Sequence, residues 1–279
     1  MLDLTKAMPD HKAKYIGEHD LFLEIYEGDN LSDSAHKRPP LLFVHGAFTG
    51  SWMWSKYIPH FVREGWTCYA MNMRSHYKSR VLDMTQITFD DYLADIQEVM
   101  AECGVPPIVI GFSMGGILGQ KLAESADIAG LVLIDSVISR EVYEAVPYEH
   151  LEQPIMSLVV PAPTREELAT MDESAEDIAF QRKYLTMESA KAFNAFVFSP
   201  ESKGISVDSG SITCPCLVIK AVNNDGDDRR GRVMAEQLRA EYKGLWKTTH
   251  TGVLVGQRYR EAVDAVLDWL RKSFDHADR

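Results

Sequence analysis

Short apolar runs that alternate with amphipathic stretches constrain the fold of this chain more than any other feature. The runs are LFLEIYE (21–27), PPLLFVHG (39–46), CYAMNM (68–73), PIVIGF (107–112), GLVLIDS (130–136), CLVIKAV (216–222) and LWKTTH (245–250). Helical patterns occupy 52–64, 90–103, 114–125, 231–242 and 259–274. Near-continuous apolar strands separated by helices are typical of a parallel sheet covered on both faces. The sequence therefore predicts an α/β fold with a mostly parallel central sheet flanked by helices.

One interval breaks this alternation. Residues 137–211 contain no strong strand pattern, several helical stretches and a cluster of prolines, methionines and aromatic residues. A connection of that length is too long for a simple loop, so it predicts a helical insertion that caps the sheet. We expect a core domain formed by 1–136 and 212–279 and a cap or lid formed by 137–211. Some aromatic side chains of the cap should line a cavity above the sheet.

Composition narrows the class of partner. Lys and Arg number 29 against 41 Asp and Glu, which gives a formal charge of −12. This acidic balance disfavours nucleic acids and anionic membrane surfaces. No apolar run approaches the roughly 20 residues of a membrane helix, and the N-terminus has no secretory pattern. The four cysteines lack the spacing of a zinc or redox pair. We expect a cytoplasmic protein with a small-molecule substrate, no metal and no cofactor.

The sequence GFSMG (111–115) follows a buried strand and precedes a helical pattern. A Gly-x-Ser-x-Gly in a strand–turn–helix presents an exposed nucleophilic serine, and the glycines leave room for the sharp turn. Ser113 is thus the predicted nucleophile. The alternative, a serine that only caps an ordinary helix, would not require further catalytic parts elsewhere in the chain.

A serine hydroxyl needs a base to take its proton. In this arrangement the base follows the last strand of the sheet, and His250 occupies that place, before the closing amphipathic helix. The acid that orients the base should follow the preceding strand. Asp225 is the favoured candidate and Asp227 the next, with Asp228 in the same acidic run; Asp135, at the end of another strand, is an outside candidate.

The predicted oxyanion hole consists of two backbone amides. One is that of Met114, directly after the nucleophile, and the other is that of Ala47 in the loop after the LLFV strand. His45 precedes this loop, and we expect its side chain to support the loop by hydrogen bonding rather than to act as the base.

These motifs, in this order, resemble the α/β-hydrolase family over nearly the whole chain. HGAFTGSWMWSKYIPHF (45–61) is similar to the oxyanion segment of its esterases and hydroxynitrile lyases. YAMNMRSHYKSR (69–80) resembles the family's Asp-Leu-Arg-Gly-His-Gly-x-Ser loop, with Ser75 and Tyr77 in place of the glycines. Asn224 stands where the family's acid is expected, one residue before Asp225.

The resemblance implies a serine carboxylic ester hydrolase acting on a small-molecule ester or lactone. A serine at position 113 disfavours epoxide hydrolases and dehalogenases, because their nucleophile at this position is a carboxylate. Overall the sequence resembles the macrolide esterases, which open the lactone of macrolide antibiotics and so confer resistance. The alternatives are a general carboxylesterase or lipase-like hydrolase of acyl esters, a hydroxynitrile-lyase-type enzyme, and a non-catalytic receptor that keeps the fold.

Overall fold

The computed structural model describes residues 3–29, 38–151 and 153–275. The strands in these ranges are β1 (Lys12–Ile16), β2 (Leu21–Tyr26), β3 (Leu41–Val44), β4 (Cys68–Met71), β5 (Ile108–Phe112), β6 (Gly130–Ile134), β7 (Val159–Val160), β8 (Glu188–Ser189), β9 (Cys216–Val222) and β10 (Glu241–Trp246). The α-helices are α1 (Ile58–Arg63), α2 (Phe89–Glu102), α3 (Met114–Ala123), α4 (Arg140–Ala145), α5 (Ala175–Tyr184), α6 (Ala190–Phe196), α7 (Asp225–Gln237), α8 (Gly252–Val255) and α9 (Tyr259–Phe274). Short 3₁₀ helices span Leu4–Ala7 and Ser51–Lys56.

The central sheet contains eight strands in the order β1-β2-β4-β3-β5-β6-β9-β10. The pairs β1–β2 and β2–β4 are antiparallel, and every pair from β4 to β10 is parallel. The predicted mostly parallel sheet with flanking helices is therefore confirmed. Because the parallel strands end at one common edge, the loops that follow β3, β5, β6, β9 and β10 meet there, and this is where open α/β sheets bind ligands.

The side chains of each strand point alternately to the two faces of the sheet, and they form two hydrophobic cores, one on each face. In β3, Leu42 and Val44 pack into the core shared with α2 and α3, whereas Leu41 and Phe43 pack into the core shared with α1 and α9. All four side chains are fully buried. Successive side chains of a strand point to opposite faces, so a strand covered by helices on both sides must be apolar throughout. This explains why the sequence pattern predicted these strands well.

The predicted boundaries of α7 and β10 were wrong. The helical pattern placed at 231–242 corresponds to α7, which begins at Asp225 because the Asn224 side chain caps it by accepting a hydrogen bond from the Asp227 amide. Tyr242 belongs instead to β10. The first strand, β1, was not predicted from the sequence; all but its last residue are exposed, so it carries no apolar run.

Residues 137–211, the connecting segment, link β6 to β9. They contain the helices α4, α5 and α6 and a small antiparallel pair formed by β7 and β8. The division of the chain into core and cap domains stays a prediction. In the part of the chain that the structure describes, no helix is both long and apolar enough to cross a membrane.

A buried ion pair fixes the loop that follows β4. The Asp95 carboxylate, on α2, is fully buried and accepts hydrogen bonds from the Arg74 amide at 2.8 Å, from Nε at 2.9 Å and from Nη2 at 2.7 Å. Burial raises the pKa of the Asp95 carboxyl, and the hydrogen bonds and charge of Arg74 oppose that rise. Removing one member of such a pair leaves the other charge buried without compensation.

We therefore expect Asp95→Ala to lower the free energy of unfolding by roughly 3–5 kcal/mol. Asp90→Ala is the matched control, since Asp90 is an exposed residue of the same helix, and it should cost less than about 1 kcal/mol. Urea denaturation followed by tryptophan fluorescence measures both values. Equal losses in the two variants would contradict the assignment of Asp95 as the buried anchor.

Candidate active site

The turn between β5 and α3 places Ser113 at the carboxyl edge of the sheet. Its backbone has a φ of 53° and a ψ of −118°, a conformation that costs free energy for a residue with a side chain. The Val137 amide donates to the Ser113 carbonyl at 3.0 Å and helps to hold this geometry. A Cβ at Gly115 would lie 2.3 Å from the Val44 carbonyl oxygen, and one at Gly111 would lie 2.3 Å from the Gly115 carbonyl oxygen. The turn therefore requires both glycines of the motif.

His250 lies directly beside the serine. It sits between β10 and α8, and its Nε2 is 3.0 Å from Ser113 Oγ. Its ring stacks on Phe112 with a centroid distance of 4.7 Å. Half of the side chain is exposed. The structure thus brings together the predicted nucleophile and the predicted base.

The carboxylate that contacts the other side of His250 is Asp135, in the turn after β6. Its Oδ2 lies 2.5 Å from His250 Nδ1. Its Oδ1 accepts from Lys220 Nζ at 2.5 Å and from the Ala221 amide at 3.2 Å. Burial alone would raise the pKa of the Asp135 carboxyl, but the Lys220 ammonium and the His250 hydrogen bond outweigh burial and hold that pKa well below its usual value. Asp135 is therefore ionised, and His250 carries its proton on Nδ1, which leaves Nε2 free to accept from the serine.

This geometry corrects the expectation that Asp225 orients His250. Asp225 is the first residue of α7 and is exposed. Asp227, the second choice, accepts from the Asn223 amide at 3.1 Å and pairs with Arg230 at 2.9 Å. The physical reason is helix capping: these carboxylates belong to the first turn of α7, where the positive end of the helix dipole favours them.

Asp228, the third member of the acidic run, is engaged in the same helix. Its carboxylate pairs with Arg232 Nε at 2.7 Å and accepts from the Tyr242 hydroxyl at 2.8 Å. Asp135, the outside candidate, is the acid that the fold brings to His250.

The two amides predicted to form the oxyanion hole are those of Ala47, in the loop after β3, and of Met114, directly after Ser113. Among the described residues, neither amide donates a hydrogen bond to another protein group. The loop that carries Ala47 is supported by His45, which is fully buried. His45 Nε2 accepts from the Met73 amide at 3.1 Å, and its Nδ1 lies 2.9 Å from the Gly46 carbonyl oxygen. His45 therefore supports the loop by hydrogen bonding, and among the described residues the serine hydroxyl is bonded to His250 rather than to His45.

A buried carboxylate of the connecting segment also supports the loop that carries Ala47 and Phe48. Glu188 is fully buried and lies 3.1 Å from His76 Nε2, and it accepts a hydrogen bond from the Tyr92 hydroxyl. Burial would raise the pKa of the Glu188 carboxyl, but His76 and the hydrogen bonds lower it below its usual value. The Phe48 amide donates a long hydrogen bond of 3.4 Å to the Glu188 carboxylate. The Phe48 carbonyl accepts a hydrogen bond from the Thr186 amide at 2.9 Å.

The connecting segment also supports the histidine loop, residues 247–251, which carries His250. Glu173, almost completely buried, accepts from the Thr251 hydroxyl at 2.8 Å and lies 2.8 Å from the Thr249 hydroxyl. The adjacent Asp172 is also 2.8 Å from the Thr249 hydroxyl. The residues on both sides of His250 are thus fixed by neighbouring carboxylates. No sequence motif indicated Asp172, Glu173 or Glu188, because their partners are remote in the chain.

A cavity of about 320 Å³ opens at Ser113 and His250. Its walls are largely apolar, and the connecting segment supplies much of them. The lining residues from that segment are Pro163, Arg165, Gln181, Leu185, Phe193 and Phe196, and those from the sheet loops are Ala47, Phe48, Thr49, Phe112, Ser113, His250 and Thr251. A largely apolar pocket with a few convergent polar groups is typical of a small-molecule site.

The environment of His45 makes stability depend on pH. Burial and the neighbouring His76 lower the pKa of His45 from 6.5 to about 3. The unfolded chain therefore binds a proton below pH 6.5 that the folded protein does not bind, so stability falls as the pH decreases from 6.5. One such proton contributes a slope of about 1.4 kcal/mol per pH unit.

We expect His45→Gln to be less stable than the parent at pH 7 but to lose less stability between pH 6 and pH 4.5. Urea denaturation at several pH values gives the two slopes. Their difference should correspond to about one proton at most, and it should vanish above pH 7.5, where both states leave this histidine neutral. Identical slopes below pH 6 would show that His45 takes up its proton in the folded protein.

Comparisons with known proteins agree with this architecture. A family model described as the alpha/beta hydrolase fold matches residues 39–158. No curated protein matched the chain in a sequence search. An alpha/beta hydrolase from Novosphingobium aromaticivorans is 18% identical, with 95% of this chain and 99% of that chain covered and a TM-score of 0.68.

Two further solved structures have similar values. A structure from a study of carboxylesterases of Nitrososphaera gargenis is 18% identical, covers 94% of this chain and 98% of that chain, and has a TM-score of 0.65. The enol-lactonase from Burkholderia xenovorans is 18% identical, covers 94% and 99%, and has a TM-score of 0.63. With the strand order and the nucleophile turn described above, these similarities show that the chain has the α/β-hydrolase fold.

Proposed function

We propose that this protein is a serine-dependent carboxylic ester hydrolase. The observation that carries the proposal is the continuous contact from Asp135 through His250 to Ser113 at the wall of an apolar cavity. A nucleophile, a base within hydrogen-bond distance and a third group that orients the base form the signature of an activated serine. A receptor without catalysis would not require this arrangement.

In the first step Ser113 Oγ attacks the ester carbonyl while His250 Nε2 takes the serine proton. The carboxylate of Asp135 holds the proton on Nδ1 and stabilises the imidazolium that forms. The amides of Ala47 and Met114 stabilise the negative charge that develops on the carbonyl oxygen. His250 then donates the proton to the departing alkoxide, and water, activated by the same imidazole, releases the acyl group from the serine.

Substitutions of the three residues test this mechanism. Ser113→Ala and His250→Gln should abolish turnover of p-nitrophenyl butyrate, and Asp135→Asn should lower kcat by roughly 10⁴-fold, because the amide no longer stabilises the imidazolium. Asp225→Asn is the matched control for the acid, since Asp225 is exposed, and its kcat should change by less than about two-fold.

Thermal melting confirms whether each variant is folded, and labelling by a fluorophosphonate reports on Ser113 without dependence on a particular ester. Parent protein that resists labelling, or a folded Ser113→Ala variant that keeps its turnover, would refute the hydrolase proposal. If kcat falls more in Asp225→Asn than in Asp135→Asn, Asp225 rather than Asp135 is the acid that orients His250.

For the substrate we propose a lactone or ester with a large apolar part, and within this class the lactone of a macrolide antibiotic, in line with the resemblance of the sequence. The apolar walls from Leu185, Phe193 and Phe196 support an apolar substrate. Structural neighbours named as carboxylesterases and as an enol-lactonase support ester and lactone chemistry in this fold.

A general carboxylesterase of acyl esters is the second candidate, and the size of the cavity favours it. A volume of about 320 Å³ lies at the lower end of the range of roughly 300–1,000 Å³ for small-molecule pockets. A macrolide ring would bind only with part of it outside this volume or after displacement of the connecting segment, which we propose acts as a cap. A short acyl ester fits without such a change.

Mass spectrometry separates these two candidates. Incubation with a 16-membered macrolide such as tylosin should give one product that is heavier by about 18 Da, because ring opening adds one water and the alcohol remains tethered. Ser113→Ala should give no such product. Unchanged macrolide together with rapid hydrolysis of p-nitrophenyl butyrate would favour the general carboxylesterase.

Carbon–carbon lyase chemistry receives less support from the site. A hydroxynitrile lyase needs a cation that faces the departing cyanide in the cavity. Arg165 is the cation that lines the cavity, and its guanidinium is bonded to neighbouring protein groups. Lys220 is bound to Asp135 and, among the described residues, does not belong to the lining of the cavity. Its charge acts on the acid rather than on a substrate.

A further inference from the structure

Lys220 lies in the middle of β9, and only 13% of its side chain is exposed. Its Nζ lies 2.5 Å from one oxygen of the Asp135 carboxylate, while the other oxygen lies 2.5 Å from His250 Nδ1. A lysine is rarely buried without a partner, and here the partner is the acid of the proposed triad. The mechanism described above assigns no role to this cation.

The position of the lysine has an electrostatic consequence. A triad acid favours the protonated imidazole because its negative charge faces the ring. A fixed positive charge on the opposite side of the same carboxylate offsets part of that effect, and the low exposure of both groups limits screening by water. The pair of Asp135 and Lys220 is neutral as a unit, so it stabilises a positive charge on the imidazole less than a lone carboxylate would.

We propose that Lys220 is a positioning residue that extends hydrolysis to lower pH by offsetting the charge of Asp135. The proposal rests on the hydrolase function proposed above. Lys220 gives up no proton in the reaction: the proton passes from Ser113 Oγ to His250 and from His250 to the leaving alkoxide. Lys220 weakens His250 as a base and strengthens it as an acid, which favours the departure of poor leaving groups such as alkyl alkoxides.

Other charged and titratable groups surround the pair of Asp135 and Lys220, and within the described part of the chain Lys220 is the one Lys or Arg side chain bonded to Asp135. Tyr148, near Lys220, has its pKa raised by burial, and the Arg230 guanidinium lies over its ring at 4.5 Å. Thr249 and Thr251, on either side of His250, contact carboxylates that are themselves bonded or paired. The groups that face this pair from each packed element are Tyr148 from the connecting segment, Asp227 and Arg230 from α7, Tyr242 from β10, and Asp172, Glu173 and Arg165 around His250.

The test compares Lys220→Met, Lys220→Arg and the control Lys243→Met. Lys243 lies on the neighbouring strand β10 and is exposed, so its substitution removes the same charge without changing the environment of Asp135. The readout is the dependence of kcat/KM for p-nitrophenyl butyrate on pH, and the rate of fluorophosphonate labelling of Ser113 gives the same profile without a substrate.

In Lys220→Met the pH at which activity is half lost on the acid side should rise by about one unit, because a like charge next to the imidazole has been removed. Lys220→Arg and Lys243→Met should keep the profile of the parent. Lys220→Met should also lose more activity on an ethyl ester than on the p-nitrophenyl ester, because the alkoxide needs a stronger acid.

The proposal would be overturned if Lys220→Met lost activity equally at every pH while the pH of half-maximal activity on the acid side stayed the same. Lys220 would then be a structural partner only. If Lys220→Met does not fold, Lys220→Gln keeps a hydrogen-bond donor without the charge and must show the same rise. Parent protein that is not labelled at Ser113 would refute the hydrolase function itself, whereas a labelled parent with an unchanged pH of half-maximal activity in the variants refutes the role of Lys220 alone.

Discussion

The site depends on one carboxylate, that of Asp135, which joins three separate parts of the chain. Its backbone amide donates to the Ile219 carbonyl at 2.7 Å, its Oδ1 binds the side chain of Lys220, and its Oδ2 binds His250. Because Asp135 is nearly completely buried, loss of one partner leaves a buried charge unbalanced. The two central strands β6 and β9 and the histidine loop are thereby held in a single geometry.

The connecting segment does more than cover this edge of the sheet. Glu173 accepts a hydrogen bond from Thr251 beside His250, and Glu188 accepts one from the Phe48 amide, which directly follows Ala47. Both carboxylates are buried and accept several hydrogen bonds. A catalytic geometry is maintained by groups that are themselves locked by packing and hydrogen bonding. We infer that the segment and the sheet form the site together, so the segment is not removable without loss of the site.

The sequence predicted those parts of the site that depend on local pattern. Ser113 and the glycines around it follow from the needs of a tight turn, and His250 follows from its place after the last strand. The acid was mispredicted because Asp225 and its neighbours satisfy helix capping, which looks the same in sequence as an acidic loop. Asp135 and Lys220 lie 85 positions apart, and only the parallel pairing of β6 with β9 brings them together. A pattern of single residues does not encode that pairing.

The polar part of the cavity wall bears on which substrates the proposed hydrolase accepts. Arg165 is the cation that lines it, but Nη1 donates to Gln181 at 2.6 Å and to Thr251 at 3.0 Å, Nη2 donates to Glu173 at 3.2 Å, and Nε pairs with Glu167. Each of the three guanidinium nitrogens is thus bonded within the protein, with Nη2 at 3.2 Å from both oxygens of Glu173. A substrate carboxylate would have to displace one of these bonds, and leaving a buried donor or acceptor unpaired costs about 1–3 kcal/mol. The wall therefore selects by shape and apolar contact, where one methylene group is worth only about 1–3 kcal/mol. For the hydrolase proposed above, such a wall fits neutral esters and lactones better than charged ones, and we infer that residues 137–211 limit the size of the substrate.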